Sequence, residues 1–202
     1  MILPLETDIT KNMKEGNFMA LPQEKYYTVE DYYNMPEDIR VELIVGQLIY
    51  MTAPNTQHQR ISGRLYATIF NYISAKGGDC EVFSAPFSVQ FQNIADTVVE
   101  PDITVVCNPD KITKRGCLGA PDWIIEIVSP SNPKHDYITK LSLYSNANVQ
   151  EYWIIDAEQN KIHVYDMREN KLVLNHYTFH DKIKVGIFED LYIDFSDFNL
   201  QS

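Results

Sequence analysis

The segment Trp123-Ile124-Ile125-Glu126-Ile127-Val128 constrains this chain more than any other. It is apolar on both faces except for one acid, the pattern of a strand buried from both sides at the centre of a sheet. A chain with such a strand needs cover on each face, which points to a layered architecture of helices and sheet. The acid adds a second constraint. A carboxylate at Glu126 costs several kcal/mol unless it is paired, bound to metal or protonated. The plain reading is a structural ion pair, or a strand-end acid reaching water.

The surrounding pattern supplies the layers. Thr28 to Tyr33 reads as a short helix with Thr28 as N-cap and Asp31 at the capping-box position, closed by Pro36. Val41 to Tyr50 reads as two strands around Gly46. From Asn55 to Lys76 the apolar positions Ile61, Leu65, Ile69, Tyr72 and Ile73 recur at helical steps, and Gly77-Gly78 ends the run. Strands are expected over Glu81–Gln90, Val98–Val106 and Asp122–Ser129, with Pro130 and Pro133 stopping the last. A helix over Lys134–Asn146 leads to a strand at Glu151–Asp156. Lys161–Asp166 and Leu172–Phe179 then form a hairpin turning near Arg168-Glu169-Asn170. The expectation is an α/β (α+β) domain over 23–202, a mixed central sheet flanked by helices with hairpins added at both ends. Residues 1–22 are a polar arm or tail.

Composition sets limits on function. The chain has 202 residues, 45% of them hydrophobic, which suits one globular domain and excludes disorder. No apolar run is long enough to span a bilayer. The first ten residues carry Glu6 and Asp8 and no basic residue, unlike a secretory signal. Cys80, Cys107 and Cys117 are odd in number without metal-ligand spacing, so reduced thiols in a cytoplasmic protein are expected. The net charge of −11 disfavours non-specific polyanion binding. The acid is concentrated at the ends, however. Residues 1–45 hold nine acids against four bases, whereas Thr52–Lys76 holds Arg60, Arg64 and Lys76 and no acid.

Glu126 has candidate companions. Alternation along Val98–Val106 places Glu100, Asp102 and Thr104 on one face. On the helix that follows the Glu126 strand, Tyr137, Leu141 and Tyr144 form the apolar stripe, and Lys140 lies on or beside it. An inward lysine beside inward carboxylates makes each tolerable. Carboxylates on neighbouring strands with a cation nearby are also what a metal-dependent phosphodiester hydrolase needs. Oxygen ligands hold Mg²⁺, the metal activates water, and a cation steadies the anionic transition state.

These residues resemble the PD-(D/E)XK restriction-endonuclease-like superfamily, and within it the Uma-type family. The resemblance runs from Tyr26 to Phe195. It rests on Glu42-Leu43-Ile44 with Gly46, Gln57-His58-Gln59-Arg60, Pro101-Asp102-Ile103, Glu126-Ile127-Val128-Ser129-Pro130-Ser131, Asp136 with Lys140 and Tyr144, and Glu151-Tyr152-Trp153-Ile154-Ile155-Asp156. One position departs from the superfamily pattern: the motif lysine two residues after the acid is Val128 here, and Lys140 on the next helix takes its place. The resemblance implies a Mg²⁺- or Mn²⁺-dependent DNA endonuclease. Asp102, Glu126 and the backbone carbonyl of Ile127 would be metal ligands, Lys140 would position water or steady the transition state, and Glu42 would be an additional acid at the site rim or a second-metal ligand.

Other candidates carry two readings. His58 is either a phosphate contact or proton carrier, or a core-edge histidine bonded to a carbonyl. Arg60 and Arg64 read as solvated surface first and DNA-backbone contacts second. Asp136 pairs with Lys140 at i, i+4. His135, His163, His176 and His180 show no ligand spacing. DNA is the expected partner and a homodimer the expected assembly. The competing expectation is a catalytically silent nuclease fold that binds DNA or protein, which the charge favours. Another α/β hydrolase has little support, since the chain has no G-x-S-x-G, P-loop, G-x-G-x-x-G or H-E-x-x-H.

Overall fold

A computed structural model describes residues 25–36, 38–129 and 135–198. The arm expected over 1–22, and Pro130, Ser131 and Pro133, lie outside them.

The N-terminal elements form as their local chemistry dictates. Helix α1 (Val29–Tyr33) starts at a reciprocal capping box. The Thr28 hydroxyl accepts the Asp31 N–H at 3.1 Å, and the Asp31 carboxylate accepts the Thr28 N–H at 2.8 Å. Strands β1 (Val41–Ile44) and β2 (Gln47–Tyr50) turn through Val45-Gly46, both at positive φ, 47° and 77°. Glycine is required at 46 for a second reason: a Cβ there would fall 2.1 Å from the Tyr26 ring. Helix α2 (Thr56–Lys76) is capped by Asn55 and buries Ile61, Leu65 and Ile69, as its periodicity predicts.

Two stretches expected as single strands are each broken at a proline. Glu81–Gln90 becomes β3 (Glu81–Ser84) and β4 (Val89–Gln90), interrupted by Ala85-Pro86. Val98–Val106 becomes β5 (Val98–Val99) and β6 (Ile103–Val106), interrupted by Glu100-Pro101-Asp102. Proline has no N–H to donate, so a ladder cannot run through it. In both cases the halves join different sheets.

The remaining elements are β7 (Ile112–Thr113), β8 (Gly116–Leu118), β9 (Trp123–Ile127), a π-helical turn over His135–Lys140 that runs into α3 (Leu141–Asn146), β10 (Glu151–Asp156), β11 (Lys161–Asp166), β12 (Val173–Tyr177), β13 (Lys182–Lys184) and β14 (Tyr192–Asp194). The pairs β7–β8 and β13–β14 were not expected from the sequence.

The central sheet has the order β12-β11-β10-β9-β6-β3, with β9 and β10 parallel and every other pair antiparallel. The expected N-terminal hairpin belongs instead to a second sheet, β2-β1-β5-β4-β8-β7. One face of the central sheet, with Trp123, Ile125, Ile127 and Trp153, packs on α2, on the β13–β14 ribbon and on Phe195 and Phe198. The opposite face, with Ile124, Tyr152 and Ile154, packs on α3 and the second sheet. Alternation on β9 puts Glu126 on the Ile124 face, toward α3.

Cys80 and Cys107 are joined in a disulfide, contrary to the expected reduced thiols, while Cys117 is free and buried. The cause is register. Glu81 pairs with Val106, so the flanking cysteines stand opposite each other at the open end of β3 and β6, a proximity that 27 residues of sequence conceal. No described helix is long and apolar enough to cross a membrane.

Candidate active site

The site is built where the chain passes from the second sheet to the central one. Beyond Ile103, which pairs with Ile125, the β6 strand no longer flanks β9. The Ile127 N–H would lack a partner there, and Asp102 Oδ2 accepts it at 2.8 Å. The same oxygen lies 3.0 Å from His58 Nε2. His58 comes from the first turn of α2, where its own N–H donates to the Asn55 cap at 2.8 Å. His58 Nδ1 is buried, with no hydrogen-bond partner among the described residues. This pairing with a carboxylate differs from the carbonyl-bonded core-edge histidine considered from sequence.

The second half of the site is a buried charge cluster. Lys140 Nζ lies 2.8 Å from Glu126 Oε1 and 3.0 Å from Glu42 Oε1. All three residues are almost wholly buried, at 4%, 4% and 1% exposure, so Glu42 belongs to the buried cluster and not to the rim expected from sequence, because it faces the Lys140 ammonium. Tyr144 donates its hydroxyl to Glu126 Oε1 at 2.6 Å, and Glu42 Oε1 accepts the Glu100 N–H at 3.0 Å. Burial, and then the Glu126 and Glu42 charges, push the Tyr144 phenol well above its ordinary range. It is therefore a donor at any physiological pH. The Lys140 ammonium, the Tyr144 hydroxyl and the Glu100 N–H together make the two buried carboxylates tolerable in a low-dielectric setting.

The helix that delivers Lys140 differs in phase from expectation. The inward residues are Lys140, Leu143, Tyr144 and Ala147, whereas Tyr137 and Leu141 are only half-buried. The π-helical turn over 135–140 shifts the register, so Tyr137 turns aside and its hydroxyl donates to Asp156 at 3.1 Å. Lys140 is thus on the inward face rather than beside it.

The shared face expected for Glu100, Asp102 and Thr104 does not exist, because Pro101 breaks the strand. The Glu100 carboxylate accepts from Tyr32 at 3.1 Å and from Arg40 at 3.1 Å, while Thr104 is buried in the sheet. Arg60 and Arg64 are exposed, and Arg64 donates to the Asp197 carbonyl at 2.6 Å. The expected Asp136–Lys140 pair and the His135 side chain lie outside the described residues. His163 and His176, adjacent on β11 and β12, bring their Nδ1 atoms within 3.0 Å.

Glu42, His58, Asp102, Glu126, Ile127 and Lys140 line one open cavity of about 280 Å³. They arrive from β1, α2, the β5–β6 link, β9 and the π-helical turn before α3, and no two of them are near neighbours in sequence except Glu126 and Ile127. Arg40 and Tyr144 were not singled out as functional residues by sequence reasoning. Tyr144 carried a usable signal, one helical turn from Lys140; Arg40 carried none. Among the described residues, no group of three or more His, Cys, Asp or Glu side chains is disposed to hold a metal ion. The cavity lining nevertheless includes the carboxylate residues Asp102 and Glu126, with Ile127 beside them. Asp102 Oδ1 has no hydrogen-bond partner among the described residues. Carboxylate oxygens are the donor type that Mg²⁺ takes, one or two at a time with several waters kept.

Comparisons with known proteins bear on the family and the fold. A family model described as "Uma2: Putative restriction endonuclease" matches residues 29–195. The chain is 28% identical over 161 residues to the protein slr1290 of Synechocystis sp., covering 77% of this chain and 83% of that one. Its fold is similar to the crystal structure of a putative nuclease belonging to DUF820 from Anabaena variabilis. That similarity has a TM-score of 0.70 at 22% identity and covers 85% of this chain and 96% of the other.

Proposed function

The chain belongs to the Uma2 family of putative restriction endonucleases, and from that premise we propose that it is a Mg²⁺- or Mn²⁺-dependent endonuclease that hydrolyses DNA phosphodiester bonds in this cleft. The observation that carries the proposal is convergence. Asp102, Glu126, Glu42, Lys140 and His58, from separate elements, line one open cavity. Ionisable groups gathered from separate elements into one cleft are the arrangement in which functional sites concentrate.

Asp102, Glu126 and the Ile127 carbonyl would hold the cation. When bound, it supplies a Lewis acid that activates water and offsets phosphate charge. The protein's own groups do the rest. The Ile127 N–H fixes the Asp102 carboxylate, and Lys140 with Tyr144 fixes Glu126, so neither acid need reorganise during the reaction. Lys140 is a fixed positive charge at the cavity wall, suited to an anionic transition state. His58 Nε2, 3.0 Å from Asp102, would carry a proton. A symmetric homodimer would present two such clefts to two strands. A silent DNA- or protein-binding module is the second reading, favoured by the net charge of −11.

The test is cleavage of plasmid, linear duplex and single-stranded DNA with Mg²⁺ and then Mn²⁺, by wild type, Asp102→Asn and Glu126→Gln. Each variant should lose at least about a hundredfold in rate while still melting cooperatively. Calorimetry should find Mn²⁺ binding weakened in Asp102→Asn. Cutting that survives both substitutions would come from a contaminant and would leave the silent module as the function.

A further inference from the structure

The wall of the cleft away from the charged cluster is unlike a surface for intact duplex. Helix α2 faces the cavity with His58, Gln59, Ser62, Gly63 and Tyr66, a run that is charged or polar, then small, then aromatic. Gly63 sits in the middle of a 21-residue helix, where glycine is unfavourable relative to alanine. No packing requires it, because a Cβ at 63 would meet nothing within 4 Å. Open space therefore lies above this turn of the helix, on the cavity side between His58 and Tyr66. Tyr66, half-buried against the core, stacks on Phe70 with centroids 5.9 Å apart and planes within 15°, Phe70 is exposed, and Tyr66 still reaches the cavity wall. Tyr50, 69% exposed at the end of β2, lines the same cavity.

We propose that this groove takes the base of an unpaired nucleotide, so that the cleft acts on single-stranded or locally unpaired DNA. The inference deepens the nuclease reading and rests on it, since the neighbouring phosphodiester is what reaches Asp102 and Glu126. Bases in a duplex stack on each other and offer no face to an aromatic wall, whereas an unstacked base does. Charge points the same way. Duplex binding depends on many phosphate contacts, and a net charge of −11 works against them. Two of the bases lining this cavity, Arg40 and Lys140, already face carboxylates. Stacking on Tyr50 and Tyr66 supplies affinity that does not depend on phosphate charge.

The experiment measures binding separately from cutting. Asp102→Asn in the full chain, with Ca²⁺ in place of Mg²⁺, is titrated with a fluorescent oligothymidylate, an abasic strand of equal length and a blunt duplex. The oligothymidylate should bind about tenfold or more tighter than either competitor. Adding Tyr66→Ala should remove most of that preference, Tyr66→Phe should keep it, and Gly63→Leu should abolish it without lowering the melting temperature. Equal affinity for the abasic strand or the duplex, or a preference indifferent to Tyr66 and Gly63, would overturn the inference. The nuclease reading is judged apart from this by the wild-type cleavage assay. Duplex cutting without base-dependent binding would sink the groove and keep the nuclease. Base-dependent binding without cutting would do the reverse.

Discussion

Lys140 is the residue on which the site's electrostatics turn. Its ammonium separates Glu42 from Glu126, two carboxylates that are as buried as itself. Removing a buried partner strands the charge left behind, so Lys140→Met should destabilise the protein by about 3–5 kcal/mol in urea unfolding. Adding Glu42→Gln to Lys140→Met should recover a substantial part, because one stranded carboxylate is then neutral. A cost unchanged by the second substitution would mean that Lys140 acts through packing of its stem. Tyr144 adds a pH dependence. The folded protein keeps this phenol protonated well above its ordinary range, while the unfolded chain releases the proton above about pH 10. Its contribution is therefore whole below about pH 10 and is lost as the pH rises, at about 1.4 kcal/mol per unit. Wild-type stability should fall more steeply with pH on the alkaline side than that of Tyr144→Phe, measured by denaturant titration across that range.

At the scale of elements, what could be read from the sequence followed from periodicity. The 3.6-residue pattern located α2 to within a residue, and the two-sided apolar pattern located β9 and β10. The need to neutralise Glu126 in such a strand led directly to Lys140. Non-local facts stayed hidden. Pro101 marks a break in Val98–Val106, but nothing along the segment shows that its halves join different sheets, and that change removes Asp102 from strand alternation and aims it at the Ile127 N–H. The short pairs β7–β8 and β13–β14 have too few residues to establish a period, and their pairing is decided by tertiary packing. The Cys80–Cys107 bond depends on the β3–β6 register, and the phase of the Lys140 helix on a π-helical turn that no propensity encodes.

For the molecule as a whole, two kinds of charge should respond differently to salt. The chain carries 28 acids against 17 bases, so exposed like charges repel across its surface. Raising ionic strength screens that repulsion but hardly reaches the buried Glu42–Lys140–Glu126 cluster. The melting temperature at neutral pH should therefore rise with added salt, while the cost of Lys140→Met stays constant over the same series. DNA affinity should move the other way, and gently. If stacking on Tyr50 and Tyr66 carries binding, few counterions are released, and the log–log salt slope for a single strand should be about −2 or shallower, equivalent to about three phosphates. A slope of about −4 or steeper would place most of the binding energy in phosphate contacts spread beyond the cleft. The acidic surface would then have to include a basic track, for which Arg60 and Arg64 on the exposed side of α2 are the first positions to substitute.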